Sequence, residues 1–368
     1  VYQFQHQRSK PYYNLPETNV KLLGLPGECP HQGEKIMRIA LDAMGSDKHP
    51  EPEVKAAVEA ARKFGDEIIL VGNESILNHL LEKENKSNAP VKIVHAPEVF
   101  EMTDKISRGA LRKTQNSIGV GMDLLKNKEV DALISAGNTA GIMAFGLTRL
   151  GRIRGVKRPA ICGIFPVRGG YCVVSDIGAN VDSKPEYLLQ YAIMSAAYAK
   201  TALGKEFPRV GLFSNGEEPG KGNQLVRETY PLLEASDLNF VGNIEGKELY
   251  GGEVDVAIGD GFTGNVVLKV SEAVLKFMTD ILREELMRSP LTKLGALLAK
   301  PAFSALKKTI DPTDIATFPL LGVDGLVFIA HGRSNAHILG NAINRTREAV
   351  DANLMNLLRD SIAEDIAN

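Results

Sequence analysis

The sequence predicts an α/β protein with a mixed, mostly parallel sheet covered on both faces, and three observations carry that expectation. Short apolar runs recur along the chain without polar alternation, the pattern of strands buried on both sides. Stretches with helical spacing separate most of them, as crossovers between parallel strands require. Two runs, 160–165 and 171–175, are separated only by a turn around Arg168-Gly169-Gly170, too short for a crossover helix; they form a hairpin and make the sheet mixed.

In chain order, the strand candidates are 39–43, 68–72, 91–95, 130–135, 160–165, 171–175, 210–214, 239–242, 254–258 and 326–330. Helical patterns fill most gaps, including 52–64, 107–126, 185–203 and 265–287. Residues 1–36 stand apart. They hold scattered Gln, Pro, Tyr and His without a sustained period and match neither a signal nor a transit peptide. The stretch from Met37 reads as an initiator followed by a first strand, so 1–36 is expected to be an upstream extension outside the fold.

Composition narrows the class. The 368 residues suffice for one large α/β domain or two ordinary ones, and 44% hydrophobic with 24% charged residues is a soluble globular balance. A net charge of −2 argues against nucleic acid as the main partner, because phosphate backbones select a basic face. Cys29, Cys162 and Cys172 lack metal-site spacing, and the last two lie in apolar runs, as buried thiols in a reducing compartment do. No apolar run approaches the ~20 residues a spanning helix needs.

Function is written mostly in the loops. Ser135-Ala136-Gly137-Asn138-Thr139-Ala140-Gly141 and Asp260-Gly261-Phe262-Thr263-Gly264-Asn265 each join an apolar run to a helical pattern. Such turns leave backbone N–H groups free at a positive helix end, which suits an anion. Asp42-Ala43-Met44-Gly45-Ser46-Asp47 follows the first strand, at the edge where ligands bind in open α/β sheets. Asp42 reads either as a turn cap or as an orienting group in a cleft. No Gly-x-Gly-x-x-Gly follows, so a dinucleotide site loses its support.

In Asp176-Ile177-Gly178-Ala179-Asn180-Val181-Asp182-Ser183-Lys184-Pro185-Glu186, Pro185 suits a first helical turn, with Ser183 or Asp182 as cap. Lys184 opposes the dipole there, which a bound anion would explain, and Asn180 stands beside it. The loop from Asn215 to Asn223 offers Lys221 and Asn223 near another helix start, as ligand groups or as a solvated tip. Glu217 and Glu218 read as solvated or capping, with no third metal ligand at a matching spacing.

These blocks, in this order, resemble the phosphate acyltransferase family of bacterial phospholipid synthesis, from Met37 to about Ala342. The resemblance rests on Asp42-Ala43-Met44-Gly45, Ser135-Ala136-Gly137-Asn138-Thr139, Gly178-Ala179-Asn180-Val181-Asp182 and Lys184-Pro185-Glu186. It rests also on Lys221-Gly222-Asn223, Asp260-Gly261-Phe262, Gly264-Asn265-Val266-Val267-Leu268-Lys269 and Pro319-Leu320-Leu321-Gly322-Val323. Ser46 stands where a second glycine is usual, Ala140-Gly141 inverts the common order, and Arg333 replaces a small residue after His331-Gly332.

The resemblance implies a three-layer αβα sandwich similar to isopropylmalate dehydrogenases and phosphotransacetylases, usually dimeric. It implies transfer of a fatty acyl group from acyl carrier protein to inorganic phosphate, giving acyl phosphate for glycerol-3-phosphate acylation. No cofactor, metal or covalent acyl-enzyme is called for, and no Gly-x-Ser-x-Gly elbow is present. Lys184 with Asn138, Thr139 and the N–H groups around Gly137 would hold phosphate. Asn180, Asn223 and Asn265 would orient the thioester or its oxyanion, and Asp260 would position Lys184 or the pantetheine arm. His331 is a candidate donor to the leaving thiolate, or a structural hydrogen-bonder. Asp42, Gly45, Ser135, Lys221, Gly261, Thr263 and Gly264 complete the expected substrate contacts. The rival readings are a short-chain acyl-CoA phosphotransacetylase, a nicotinamide-dependent decarboxylating dehydrogenase, and a non-catalytic scaffold for lipid enzymes at the membrane.

The domain is expected over 37–345, with 346–368 as a C-terminal helix and 290–308 as a protruding tip. There Leu291, Leu294, Leu297, Leu298, Phe303 and Leu306 supply apolar bulk, and Lys293, Lys300, Lys307 and Lys308 supply charge without an intervening acid. Pro290 and Pro301 break the stretch into two helices meeting at a tip. The tip is either a hairpin packed on the core or a partner subunit, or a contact with anionic lipid. The family resemblance favours the latter, implying a cytoplasmic protein peripheral at the membrane, with the downstream glycerol-3-phosphate acyltransferase as a further candidate partner.

Overall fold

The computed structural model describes residues 36–107, 109, 114–310 and 317–367. The expected extension, apart from Ile36, and Cys29 lie outside them. Eleven strands form one sheet: β1 Arg38–Asp42, β2 Glu67–Gly72, β3 Val91–His95, β4 Ala132–Ser135, β5 Ala160–Val167, β6 Gly170–Ser175, β7 Val210–Phe213, β8 Phe240–Ile244, β9 Val256–Ile258, β10 Thr317–Leu321 and β11 Val327–Ala330, in the order β3-β2-β1-β4-β11-β10-β5-β6-β9-β7-β8. The helices are α1 Glu51–Phe64, α2 Glu74–Glu84, α3 Ser117–Lys126, α4 Thr139–Phe145, α5 Pro185–Leu203, α6 Gln224–Glu234, α7 Gly246–Gly251, α8 Gly261–Met287, α9 Pro290–Leu298, α10 Lys300–Ile310, α11 Ala336–Asp351 and α12 Leu354–Ala367.

The flat apolar strands have a direct cause. Ile39 and Leu41 of β1, with Ile68 and Leu70 of β2, pack on one face with Val54 of α1, Tyr191 of α5 and Leu339 of α11. Their neighbours Ala40, Ile69 and Val71 pack on the other with Ile118 and Met122 of α3 and Phe145 of α4. Successive side chains point to opposite faces, and helices cover both, so neither set can be polar. The result is the three-layer sandwich.

The expected hairpin is β5–β6, with Phe165 opposite Cys172 and Val167 opposite Gly170. Sequence reasoning missed β10, whose first half pairs antiparallel with β11 and whose second half pairs antiparallel with β5. This strand joins the two halves of the sheet. Three antiparallel steps separate β11 from β6, so β6, β9, β7 and β8 run opposite to β1, β4 and β11. The C-terminal ends of the two sets therefore leave the sheet at opposite edges.

Several boundaries differ from expectation. The helix expected over 107–126 starts at Ser117, where the Asn116 side chain accepts from Gly119 N–H; part of 108–113 lies outside the described residues. The helix expected from 265 starts at Gly261. The single helix expected over 346–368 is two, broken at Asn353 with φ of 54°. Leu354, Leu358 and Ile362 of α12 belong to the main core, so it is part of the domain rather than an appendage.

Of the 27 residues of α8, only Gly261 and Gly264 are buried. Beyond it, α9 and α10 form the two short helices expected at the tip. Leu291 is 78% exposed and Leu298 76%, while Leu294 and Leu297 are also exposed and Phe303 is half-buried. The side chains of Lys307 and Lys308 lie outside the described residues. No described helix is long and apolar enough to cross a membrane.

Candidate active site

The predicted loops fall into two hydrogen-bonded groups that share no residue, rather than one. The first sits where β1, β4 and β11 end. Asp42 is buried; its carboxylate accepts the Ser135 hydroxyl at 2.6 Å and Met44 N–H at 3.1 Å. Ser135 Oγ in turn accepts Gly137 N–H at 3.1 Å. A Cβ on Gly45 would lie 2.7 Å from Asp42 Oδ2 and 2.8 Å from Gly137 N, so the two backbones meet where only glycine fits. Burial pushes the Asp42 carboxyl up, against hydrogen bonds from Ser117 and Ser135.

Asn138 caps α4, accepting Gly141 N–H at 3.0 Å, while its amide donates to the carbonyls of Met102 and Asp104. Its side chain is thus committed to protein partners, and Thr139 beside it is exposed. Gly332 O accepts Asp47 N–H at 2.8 Å, which ties the turn after β11 to this group. His331 is exposed, with Nδ1 accepting Arg333 N–H at 3.1 Å; this geometry is that of a turn residue. Ser46 needs no glycine: it has no positive φ, and its N–H donates to Glu53 at 3.2 Å.

The second group lies where β6, β9 and β7 end. Its centre is Asp176, which sequence reasoning passed over. Its carboxylate accepts N–H groups of Ile161, Gly178, Ala179 and Asn180 and the Asn180 amide, at 2.7–3.2 Å. The signal for it was present: an aspartate between a buried strand and a Gly-rich turn. Asn180 also donates to Pro159 O at 2.7 Å, and its own carbonyl accepts Gly261 N–H at 2.8 Å. A Cβ on Gly261 would come within 2.6 Å of that carbonyl, and one on Gly264 would collide with Asp176 O. Those glycines let α8 start against the 176–180 loop.

Asp260 is the N-cap of α8, accepting Thr263 N–H at 2.7 Å, so Thr263 and Gly264 lie in the helix rather than in a loop before it. Asn265 is exposed, with its side chain 3.8 Å from where a Gly178 Cβ would stand. Asn223 is likewise the N-cap of α6, accepting Val226 N–H at 2.9 Å. Neither Ser183 nor Asp182 caps α5. Lys184 occupies that position without a side-chain cap, because the residue before Pro185 is held extended. Lys184 and Lys221 are exposed and make no ion pair among the described residues. They flank the α8 start along one sheet edge, at the positive ends of α5 and α6.

Glu217, Glu245 and Glu248 can bring oxygens within 4.8 Å of one another, but the Lys247 ammonium is paired with all three. That lysine offsets one of the three carboxylate charges. Cys162 and Cys172 are buried free thiols, and burial pushes Cys162 up to about 12 and Cys172 up as well, the opposite of an activated nucleophile.

Comparison with known proteins fits this architecture. The phosphotransacetylase of Streptococcus pyogenes superposes with a TM-score of 0.60 at 16% identity, covering 86% of this chain and 94% of that one. A branched-chain phosphotransacylase from Enterococcus faecalis gives 0.54 at 11%, covering 86% and 99%. At these identities the likeness speaks for the fold alone. A phosphate acyltransferase of Syntrophotalea carbinolica is 47% identical over 317 residues, 86% of this chain and 91% of its own length. One from Pelotomaculum thermopropionicum is 46% identical over 326 residues, 89% and 95% respectively. The family described as fatty acid synthesis protein matches residues 37–357. With those motifs, that fold and that identity along nearly the whole described chain, the protein belongs to the phosphate acyltransferase family of enzymes.

Proposed function

We propose that the protein moves a fatty acyl group from the thioester of an acyl carrier protein onto inorganic phosphate, releasing acyl phosphate and the carrier thiol. The observation that carries this reading is the pair of exposed cations, Lys184 and Lys221, which make no ion pair among the described residues, at the starts of α5 and α6 on either side of the α8 N-terminus. Three helix starts and two ammonium groups along one edge suit a phosphate dianion. Asp176 does not oppose it, because five N–H bonds absorb its charge.

A phosphate oxygen attacks the thioester carbonyl, the tetrahedral oxyanion collapses, and the C–S bond breaks. Phosphate is already anionic, and the leaving thiol has a pKa near ~8.5, so little proton transfer is asked of the protein. Orientation and donors aimed at the oxyanion carry the catalysis, with the exposed Asn265 beside the Lys184 loop as the candidate donor. Asn180, expected in that role, spends both amide hydrogens on Pro159 O and Asp176. With Cys162 and Cys172 buried and poorly ionised, direct attack is favoured over an acyl-enzyme at either thiol.

The exposed stripe Phe262, Val266, Val270, Val274 and Met278 along α8 supports a homodimer in which a second copy covers it. The apolar tip supports peripheral attachment to an anionic cytoplasmic membrane, where the product meets its glycerol-3-phosphate acyltransferase.

The decisive assay supplies phosphate with acetyl-CoA or palmitoyl carrier protein and follows thiol release and acyl phosphate. Faster turnover of acetyl-CoA would select the phosphotransacetylase reading, and no turnover of either would select the scaffold.

A further inference from the structure

The loop over 151–158, which leads into β5, carries a charge that the reaction above does not use. Arg152, Arg154, Lys157 and Arg158 fall within seven residues with no acid among them, in a chain whose net charge is −2. All four are exposed, and none makes an ion pair with a described carboxylate. Charged groups nearby do pair: Arg149 with Asp123, and Asp324, whose N–H donates to Gly151 O, with Arg359. The only apolar side chains between Gly151 and Pro159 are Ile153 and Val156, each 3% exposed.

The backbone of this loop is pinned. Gln190 of α5, itself buried, accepts Lys157 N–H at 2.8 Å and donates to Gly155 O at 3.1 Å. Ile153 N–H donates to Gly322 O at 3.0 Å, and the Arg152 guanidinium donates to Lys157 O. Gly155, at φ of 97°, lies so close to Ile366 of α12 that a Cβ would collide. A pinned backbone presents its cations without a loop-ordering cost when a partner docks. The loop also borders the second loop group. Cys162 opposite Ser175 puts the start of β5 at the edge where β6 ends, and Pro159 O accepts the Asn180 amide at 2.7 Å.

We infer that the 151–158 loop is the docking surface for the acyl carrier protein, and that the carrier face meeting it is acidic. Four exposed cations without a carboxylate partner select a negative surface, steer its approach and fix its register. A lipid surface is the poorer match: Ile153 and Val156 are buried, so the loop has no apolar side chain to place in a bilayer. A carrier seated here stands beside the Lys184 loop, because Asn180 binds Pro159 directly after Arg158. The inference rests on the reading that the acyl donor is a carrier protein.

The test uses the full chain and acyl carrier protein without its acyl group, so that binding is read apart from turnover. Wild type should bind the carrier in calorimetric titration, more weakly as salt is raised. Arg154→Glu with Lys157→Glu should weaken binding roughly tenfold or more, and Arg154→Lys with Lys157→Arg should keep the wild-type affinity and salt dependence. A wild type that does not bind, or a reversed-charge variant that binds as tightly, overturns the inference. In kinetics with inorganic phosphate, the reversed variant should raise the KM for octanoyl carrier protein by a similar factor, with kcat, the phosphate KM and turnover of uncharged octanoyl-pantetheine unchanged. An equal loss with octanoyl-pantetheine would put the loop in the reaction site or in the fold rather than in docking, and overturns it as well. So does a reversed variant that loses anionic vesicles while keeping the carrier, since the surface would then be one for lipid. If wild type binds the carrier but transfers no acyl group, the proposed function fails and the docking surface stands.

Discussion

Asn138, Asn223 and Asp260, expected to touch substrate, each spend a side-chain oxygen on the first turn of a helix. Asn, Asp and Gly are enriched both at helix starts and in ligand loops, because a free backbone N–H serves a cap or an anion equally well. Sequence alone therefore finds the loop and leaves open which side chains stay free. Lys184 has no ion-pair partner among the described residues, and it carries the sharpest expectation at this scale. Lys184→Ala should raise the phosphate KM or cut turnover by about 100-fold or more with the fold intact, the scale of a lost electrostatic contact. Unchanged kinetics at varied phosphate would remove it from the site. The two buried cysteines carry a second expectation. Exchanging both for serine should leave turnover near normal, and mass spectrometry of protein mixed with palmitoyl carrier protein without phosphate should find no acylated chain. A stable acyl adduct would falsify direct attack.

Helix α5 was legible in the sequence to its last residue, because Pro185 fixes its start and Gly204, at φ of 63°, its end. Strand β10 was not legible. Its Pro319 argues against a strand interior, and it pairs with a different neighbour in each half, so its role depends on partners far away in sequence. The α9–α10 tip was legible as two helices, since Pro290 opens the first and Ser289 caps it. What the tip touches is a matter for experiment. Wild type should sediment with anionic vesicles, each lysine near the surface contributing on the order of 1 kcal/mol, and Leu294→Glu with Leu298→Glu should stay in the supernatant. Identical behaviour of the two proteins would make the tip structural.

The whole molecule is one sheet with two halves of opposite sense, closed by α12 packing on α5. The C-terminal helix thus bears on stability rather than on the site. Leu358, 2% exposed, should cost about 2–5 kcal/mol when cut to alanine, read as a lower denaturant midpoint, while phosphate KM holds below the transition. A midpoint equal to wild type would mean that α12 docks without contributing to the core.

The sequence by itself determined the class of fold, most strands, the bounds of α5 and the family, because each follows from short-range pattern: period, Pro and Gly at helix ends, or the order of loop motifs. Only the tertiary structure decided that the loops separate into two groups. Strand direction beyond β10 depends on long-range pairing, which no local pattern records. It also decided that Asp176, rather than Asn180 alone, organises the Lys184 loop, and that Glu53 is buried where it accepts Ser46 N–H. Both are ordinary acids in the sequence. Their environment arises from packing β1 against α1 and β6 against β5 and β9, which brings together groups that the chain keeps apart.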